Sequence, residues 1–361
     1  MPVLALREIT NIDLFAIVKE LAPRLVGKRV DKFYQFSDAE FFMKIKGDGT
    51  QTLLVLLPNL INITNFTREF KEPTAFAMTV RKYLENRTIT AVEQLSFDRI
   101  VKISTNEADL IIEFFGKGNI LLSDKNSKII ASLRLEETKT RRIARNEQYV
   151  QPPSKKIIPD KITAKEFFDS ADKELPIIVN LSRIINFPAV YFNMLLEKES
   201  FDPKKKTKEL APKELEHIFA SMNKFVRDAG KKPTIFEDGT YSCYDNGTKK
   251  SKESFDLMSE LFDKLYSQQV KAATGAVSSA RIEKIMKKLK HQQENLRRQG
   301  AEEKEAKETA ELLLKKKETV EQLIAAFSRY KKNKDKEELQ TALSRHGAKL
   351  REGSIEIELS D

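Results

Sequence analysis

Three short constellations carry residue types able to do chemistry. Asp98 and Arg99 stand side by side between Phe97 and the apolar pair Ile100-Val101. Neighbours on a strand point to opposite faces, so a direct ion pair between them is disfavoured and each needs its own partner. A carboxylate can accept hydrogen bonds from a ribose or base edge, or orient a neighbouring arginine, while a guanidinium suits phosphate; chance placement on a surface is the competing reading. The segment Phe114-Phe115-Gly116-Lys117-Gly118-Asn119-Ile120 sets two glycines around a lysine between apolar runs, where backbone can turn tightly and approach phosphate or sugar oxygens. A plain hairpin with a solvent-facing Lys117 fits it equally, and the spacing excludes a Walker loop. Arginines recur beside aromatics: Arg68 with Phe66 and Phe70, Arg81-Lys82 with Tyr83, then Arg134, and Arg141-Arg142 with Tyr149. Charge interleaved with rings suits RNA, whose loops expose bases for stacking. Solvated charge on a basic protein explains most lysines but fewer of the arginines. Met1-Pro2 raises an amine-nucleophile reading, known from one class of DNA glycosylases, but no acidic residue follows at Val3-Leu4, so matched roles are lacking.

The elements that must position these groups follow from periodicity. Leu14, Ile17, Val18 and Leu21 share one face of a helix from Asp13 to about Leu25, with Asp13 as its cap and Pro23 as its kink or stop. Short β-type runs follow at Arg29–Phe36, Glu40–Ile45 and Thr52–Leu57, with a turn at Gly47, Asp48 and Gly49. A helix Pro73–Leu84 precedes strands at Ile89–Leu95, Ile100–Ser104, Asp109–Phe115 and Ile120–Asp124. The class is α+β with a mostly antiparallel sheet. Pro152, Pro153 and Pro159 mark a linker over Val150–Thr163. Helices are expected at Leu175–Ile185, Ala189–Leu196 and Pro212–Ala229, the first two forming a helix-hairpin-helix across Asn186, Phe187 and Pro188. A β excursion at Thr234–Tyr244 leads to a helix Ser254–Tyr266.

From Ser278 to Tyr330 Ile282, Met286, Leu289, Gln293 and Leu296 step by four and three residues, the seam of a coiled coil. Unbroken, about fifty residues would reach roughly 75 to 80 Å, and folding back near Gly300 would halve that; the resumed stripe Leu312, Leu313, Val320, Leu323, Ile324 and Phe327 favours an antiparallel coiled coil. A helix Asp335–Arg345 and an alternating strand Gly353–Leu359 with little chain left to pair close the sequence. The domains expected are therefore 1–155, 164–230, 231–275, 278–332 and 335–361.

Composition bounds the function. Lys and Arg number 64 against 54 Asp and Glu in 361 residues, a net charge of +10, which favours a polyanionic partner. The single Cys243 allows no internal disulfide and suggests a reducing, cytoplasmic interior. Only His217, His291 and His346 are present, so no metal site or cofactor is expected. No apolar run reaches the roughly 18 residues of a membrane span, and the N-terminus lacks the pattern of a secretory signal, so neither a membrane partner nor export is expected.

In order, Asp13-Leu14, Lys19-Glu20-Leu21 and Leu25-Val26-Gly27-Lys28-Arg29-Val30-Asp31-Lys32-Phe33-Tyr34-Gln35, followed by Arg81-Lys82-Tyr83-Leu84, Phe97-Asp98-Arg99-Ile100-Val101 and Glu113-Phe114-Phe115-Gly116-Lys117-Gly118-Asn119-Ile120, resemble the NFACT family, in its archaeal type. The family was once described as fibronectin-binding proteins. The resemblance is closest over residues 8–153 and looser through the helical part and the coiled coil. It implies an N-terminal domain similar in fold to the N-terminal part of the DNA glycosylases named above. It also implies a non-enzymatic adaptor of ribosome-associated quality control, binding a large ribosomal subunit obstructed by peptidyl-tRNA and recruiting tRNA, mainly alanyl-tRNA, for C-terminal tailing without mRNA. Peptide-bond formation is left to the ribosome.

The family's Asp-Arg motif maps onto Asp98 and Arg99 and its N-terminal acidic position onto Asp13. The tRNA-binding set expected here adds Arg81, Lys82, Gly116, Lys117, Gly118, Asn119, Arg134, Arg141 and Arg142, with rRNA met by basic surfaces and the coiled coil. Two departures stand out. Asn186-Phe187-Pro188-Ala189 lacks the glycine usual at the hairpin turn. The RNA-binding domain that follows the coiled coil in the family is missing, Ile355–Asp361 being its first strand at most. The competing classes are a glycosylase-like DNA enzyme, which needs a nucleophile at Pro2, and a matrix-binding adhesin, which needs export.

Overall fold

A computed structural model describes residues 6–47, 49–66, 72–334, 336–351 and 353–357, and of 273–285 and Leu313 the backbone alone. Two compact units divide at Thr274 and Gly275.

The first unit opens with α1 (Asn11–Leu25). Its cap is Thr10 rather than Asp13: the Asp13 N–H donates to Thr10 Oγ1 at 3.1 Å, and Asp13 Oδ2 accepts from the Thr10 N–H at 3.0 Å, a capping box. Pro23 sits in the last turn, and the helix runs on past it to Leu25. Four strands, β1 (Arg29–Gln35), β2 (Glu40–Gly47), β3 (Gly49–Leu56) and β4 (Leu60–Thr64), form an antiparallel meander. The last of these was not expected from sequence. After α2 (Ala75–Leu84), capped by Thr74, a second meander follows: β5 (Ile89–Gln94), β6 (Ile100–Thr105), β7 (Ala108–Glu113), β8 (Asn119–Asp124) and β9 (Ile129–Ser132). A two-stranded ribbon, β10 (Glu136–Glu137) with β11 (Arg142–Ile143), closes it.

Strand side chains alternate between faces. Leu110 and Ile112 of β7 therefore join the main core, while Ile111 faces a small second cluster with Ile100, Leu121, Ile129 and Ile143, edged by Phe115 and Tyr149. That smaller cluster lies beneath the Asp98–Arg99 turn and the Gly116–Asn119 loop.

Helices α3 (Ala164–Ser170), α4 (Ile177–Ile184), α5 (Ala189–Lys198) and α6 (Pro212–Asp228) follow, then a small antiparallel sheet of β12 (Thr234–Phe236), β13 (Tyr241–Ser242) and β14 (Ser251–Ser254). The stretch read as a linker is tied down at its middle. The Ile157 N–H donates to Ile184 O at 2.8 Å and the Asn186 N–H to Ile157 O at 2.7 Å. One continuous cluster of buried side chains runs from Ile9 through Leu54, Ile112, Phe192 and Phe225 to Tyr266, across the divisions expected at 155 and 230.

The helix expected at Ser254–Tyr266 and the arm expected from Ser278 are parts of one helix, α7 (Met258–Lys315). The turn expected near Gly300 is not formed. A glycine inside a helix costs only about 1 kcal/mol against alanine, and the pairs Arg298–Glu302 at 2.9 Å and Glu303–Lys307 at 2.8 Å support the backbone on either side. The helix is interrupted instead at Lys316, before α8 (Lys317–Asn333). Met286, Leu289 and Leu296 of the expected seam are exposed, and the side chains of Ile282 and Ile285 lie outside the described residues.

In the second unit Leu323 and Ala326 of α8 and Leu339 of α9 (Lys336–Arg345) are buried. The closing strand does find a partner: β16 (Ser354–Glu356) pairs antiparallel with β15 (Lys349–Arg351), while Leu359 lies outside the described residues. No helix among the described residues is long and apolar enough to cross a membrane.

Candidate nucleic-acid interface

Asp98 and Arg99 lie on a strained turn between β5 and β6 rather than on a strand. Ser96 and Phe97 both have left-handed backbones, with φ of 52° and 51°. For residues with a Cβ this costs roughly 1 to 2 kcal/mol each, and such strain persists only where surroundings enforce it. Here they do. The Phe97 ring meets Phe15 of α1 edge-on at 5.6 Å. The Phe97 carbonyl accepts from Asn11 Nδ2 at 3.2 Å and from Asn186 Nδ2 at 3.1 Å. Gln94 Nε2 donates to the carbonyls of Asn11 and Asp98, both at 2.8 Å. The turn is thus clamped between α1 and the α4–α5 hairpin, 89 residues further along the chain.

The two motif residues have different partners. Asp98 Oδ1 accepts the Arg99 backbone N–H at 2.8 Å, and its other oxygen has no hydrogen-bond partner among the described residues. The Arg99 guanidinium lies over the Phe115 ring, 4.9 Å from its centre, and donates to Glu8 Oε2 at 2.7 Å. Both residues open onto a cleft of about 640 Å³ between the second meander and the α4–α5 hairpin. Four cations line it, Arg99, Lys155, Lys156 and Arg183, against two carboxylates, Glu8 and Asp98. Lys155, Lys156 and Arg183 are exposed and were not singled out from the sequence. Lys155 and Lys156 sit among prolines in the stretch read as a linker, and the Ile157 bonds described above hold that stretch against the cleft.

The Gly116–Asn119 loop borders a second, smaller depression of about 370 Å³ that shares Phe115 with the first. Gly116 and Lys117 are exposed, while Gly118 and Asn119 are buried and hold the loop. Gly118 has φ +70°, and a Cβ there would lie 2.8 Å from Leu57 Cβ. Asn119 Nδ2 donates to Arg134 O at 2.9 Å and Asn119 Oδ1 accepts the Arg134 N–H at 3.0 Å. The Arg134 guanidinium clamps the loop from outside, donating to Gly118 O at 2.6 Å and Asp38 O at 2.5 Å. Arg134 is thus a structural clasp, and Lys117 is the loop's outward charge.

Two of the expected residues, Arg141 and Asp13, are buried and paired inside the fold. Arg141 is 7% exposed and forks onto Glu113 at 2.6 and 3.0 Å while donating to Glu136 at 2.8 Å, so most of its donors are spent inside the fold. Burial alone would lower its pKa; the two carboxylates overturn that and raise it. Tyr149 donates to the same Glu113 at 2.9 Å, and burial with that carboxylate pushes its phenol up.

Asp13 is fully buried. Its oxygens accept from Arg7 Nη1 at 2.5 Å, from Thr10 and from the Tyr191 hydroxyl of α5. Burial would raise its pKa, but Arg7, Tyr191 and Thr10 together hold it below the usual carboxylate range. Arg7 also lies over the Tyr241 ring at 4.2 Å, so this group joins α1 to α5 and β13. A carboxylate so enclosed positions the N-terminal segment.

The remaining candidates lie elsewhere. Arg81 donates from Nε to Phe33 O at 2.7 Å and covers the Tyr34 ring at 4.8 Å; the exposed Lys82 beside it lies near Tyr83. Neither lines the cleft. Arg142 is exposed and paired with Glu147 at 3.2 Å. Arg68, Phe70 and Met1-Pro2 lie outside the described residues.

Residues 10–360 match the model of the NFACT N-terminal and middle domains. The archaeal Rqc2 homolog aRqcH of Methanocaldococcus jannaschii is 30% identical over 366 residues, covering 91% of this chain and 53% of that protein. The human ribosome quality control complex subunit NEMF is 30% identical over 263 residues, covering 68% of this chain and 24% of that protein. The chain therefore spans about half the length of the archaeal relative and about a quarter of the human one. Among solved structures, the fibrinogen binding protein from Staphylococcus aureus superposes with a TM-score of 0.59 at 20% identity, covering 71% of this chain and 98% of that one. The N-terminal part of the fibronectin/fibrinogen-binding protein from Streptococcus suis gives 0.57 at 23%, covering 72% and 99%. These two likenesses concern the fold alone.

Proposed function

The chain belongs to the NFACT family, and on that premise we propose that it is a non-catalytic, cytoplasmic adaptor of ribosome-associated quality control that binds RNA through the Asp98–Arg99 cleft. The relatives named as ribosome quality control proteins support the process. The observation that carries the RNA reading is the cleft itself: a strained, clamped turn presents a carboxylate oxygen and a ring-backed guanidinium beside Lys155, Lys156 and Arg183. Guanidinium and ammonium groups take phosphates, and the free oxygen of Asp98 takes a ribose hydroxyl or base amine. No covalent step is required of these residues. The ligand proposed is tRNA, recruited to a large subunit that still holds peptidyl-tRNA, with alanyl-tRNA supplying the tail; Lys117, Arg81, Lys82 and Arg142 add outward charge on neighbouring surfaces, and rRNA is met by the charged helix α7.

The test is binding of the chain, of Asp98→Ala and of Arg99→Ala to purified tRNA and to large subunits carrying peptidyl-tRNA over a salt series. Phosphate contact predicts affinity that falls steeply with salt, and a specific site predicts a defect in both variants at every salt concentration. Equal binding by wild type and both variants would move the site to another face.

A further inference from the structure

At the far end of α5 from the cleft, a second concavity of about 330 Å³ lies between α5 and α6. Ten residues of helix separate the two, about 15 Å. His217, Ser221, Lys224 and Arg227 follow one another along α6 at spacings of four, three and three, which puts them on one face, and Lys198 closes the rim from the last turn of α5. The floor is apolar, built by Leu195 and Phe225.

The cations here differ from those on the neighbouring loop. Lys205, Lys206 and Lys208 each have a carboxylate within 3.0 Å, Glu214 for the first and Glu174 for the other two. Lys198, Lys224 and Arg227 have no ion-pair partner among the described residues. Glu199 is the one acid in the lining, and its carboxylate is engaged by His217 Nε2 at 2.7 Å and Ser221 Oγ at 3.1 Å. Asp228, next to Arg227, is paired with Lys231 at 2.7 Å. Asp228 still feels Lys224 and Arg227 and Glu199 feels Lys198, but both carboxylates are hydrogen-bonded to other groups, so the three cations leave net positive charge around the concavity that an anion would relieve.

We infer that this concavity between α5 and α6 is a second anchor for the RNA backbone, in which Lys198, Lys224 and Arg227 grip phosphodiester oxygens. The inference rests on the RNA-binding reading above and extends it: one strand held at Arg99 and Arg183 and again at Lys224 and Arg227 would lie along α5. Such an anchor reads no bases; it sets affinity and the direction of the bound strand.

The experiment measures tRNA binding by wild type, Arg99→Ala, the double variant Lys224→Ala with Arg227→Ala, and Glu199→Gln, with circular dichroism to verify helix content. The double variant should bind roughly ten-fold more weakly at 0.1 M salt, with the log–log salt slope lowered by about 1 to 2. Glu199→Gln should bind about two- to three-fold more tightly, because it removes a charge that opposes phosphate. If Arg99→Ala weakens binding and neither α6 variant changes it, the anchor is overturned while the cleft stands. If wild type binds no tRNA, both fall. If the double variant loses binding to poly-glutamate but keeps its tRNA affinity, the surface belongs to an acidic protein segment and the RNA assignment is overturned.

Discussion

Glu8 already occupies the guanidinium of Arg99: its Oε2 lies 2.7 Å from Nη1 while the Phe115 ring supports the same guanidinium from below at 4.9 Å. On the proposed RNA reading, an arriving phosphate would displace a carboxylate rather than water. The Glu8 side chain is 54% exposed, and pairs of this kind contribute less than about 1 kcal/mol, so the exchange is easy. Glu8 keeps Arg99 extended over its ring and opposes weak anions.

Glu8→Gln is accordingly expected to tighten tRNA binding roughly two- to five-fold. The gain should vanish in an Arg99→Ala background, as a double-mutant cycle by fluorescence anisotropy would show. An equal gain with and without Arg99 would mean that Glu8 acts through general charge.

Arg141 and Lys117 separate stability from binding. Arg141→Ala strands Glu113, which is 2% exposed, and should cost roughly 3 to 5 kcal/mol in urea denaturation. Arg141→Lys should fall between, since one ammonium cannot fork onto Glu113 while reaching Glu136. Lys117→Ala should stay within about 0.5 kcal/mol of wild type. A stable Arg141→Ala protein would contradict the enclosed network.

The Asp13 carboxylate predicts a pH dependence. Its pKa is held low in the folded chain, so its stabilisation is complete above the unfolded-chain value of about 3.9 and is lost as pH falls from there through the folded value. Asp13→Asn should cost roughly 3 kcal/mol at neutral pH. It should also flatten the decline of stability below about pH 4. Parallel acid limbs for the two proteins would show that another carboxylate dominates.

Two glycines in one loop should respond differently. Gly116 has φ +54° with open space around it, so Gly116→Ala should cost only the left-handed penalty of about 1 kcal/mol. Gly118→Ala adds a collision of its Cβ with Leu57 Cβ at 2.8 Å and with Glu113 O at 3.1 Å, and should cost about 1 to 3 kcal/mol more. Thermal midpoints would rank the two.

Much of this architecture was legible in the sequence because period and punctuation agreed locally. The alternation around Ile111 and Leu121, the Gly47–Gly49 turn and the Pro212 start of α6 all read directly. β4 and β9 were missed: short and partly polar, they are strands because a neighbouring edge pairs them. The turn at Lys316 was misplaced to Gly300 because helix propensity is a weak prior and salt-bridged turns carry a glycine through.

For the site, Asp98 and Arg99 were legible as a pair, but their surroundings were not. Glu8, Asn186, Lys155 and Arg183 reach the cleft only through tertiary contacts, the longest of them closed by Asn186 on Asn11. Arg141 misled because an arginine beside a tyrosine reads the same whether it faces solvent or a buried glutamate.

The Tyr191 hydroxyl that bonds Asp13 bears on the order in which the molecule can assemble. The two residues are 178 positions apart, so α1 and both meanders are synthesised long before the partner that seals Asp13 exists. Closing so long a loop carries an entropic cost that grows only with the logarithm of its length, about 0.6 kcal/mol per doubling, but none of the contact's stabilisation arrives until the closure is made. A nascent chain ending before α5 would hold its meanders with the Asp13 carboxylate bonded to Arg7 and Thr10 but lacking its Tyr191 partner. The β part and the helical part should therefore mature together, in a single late step, rather than one after the other as the chain emerges.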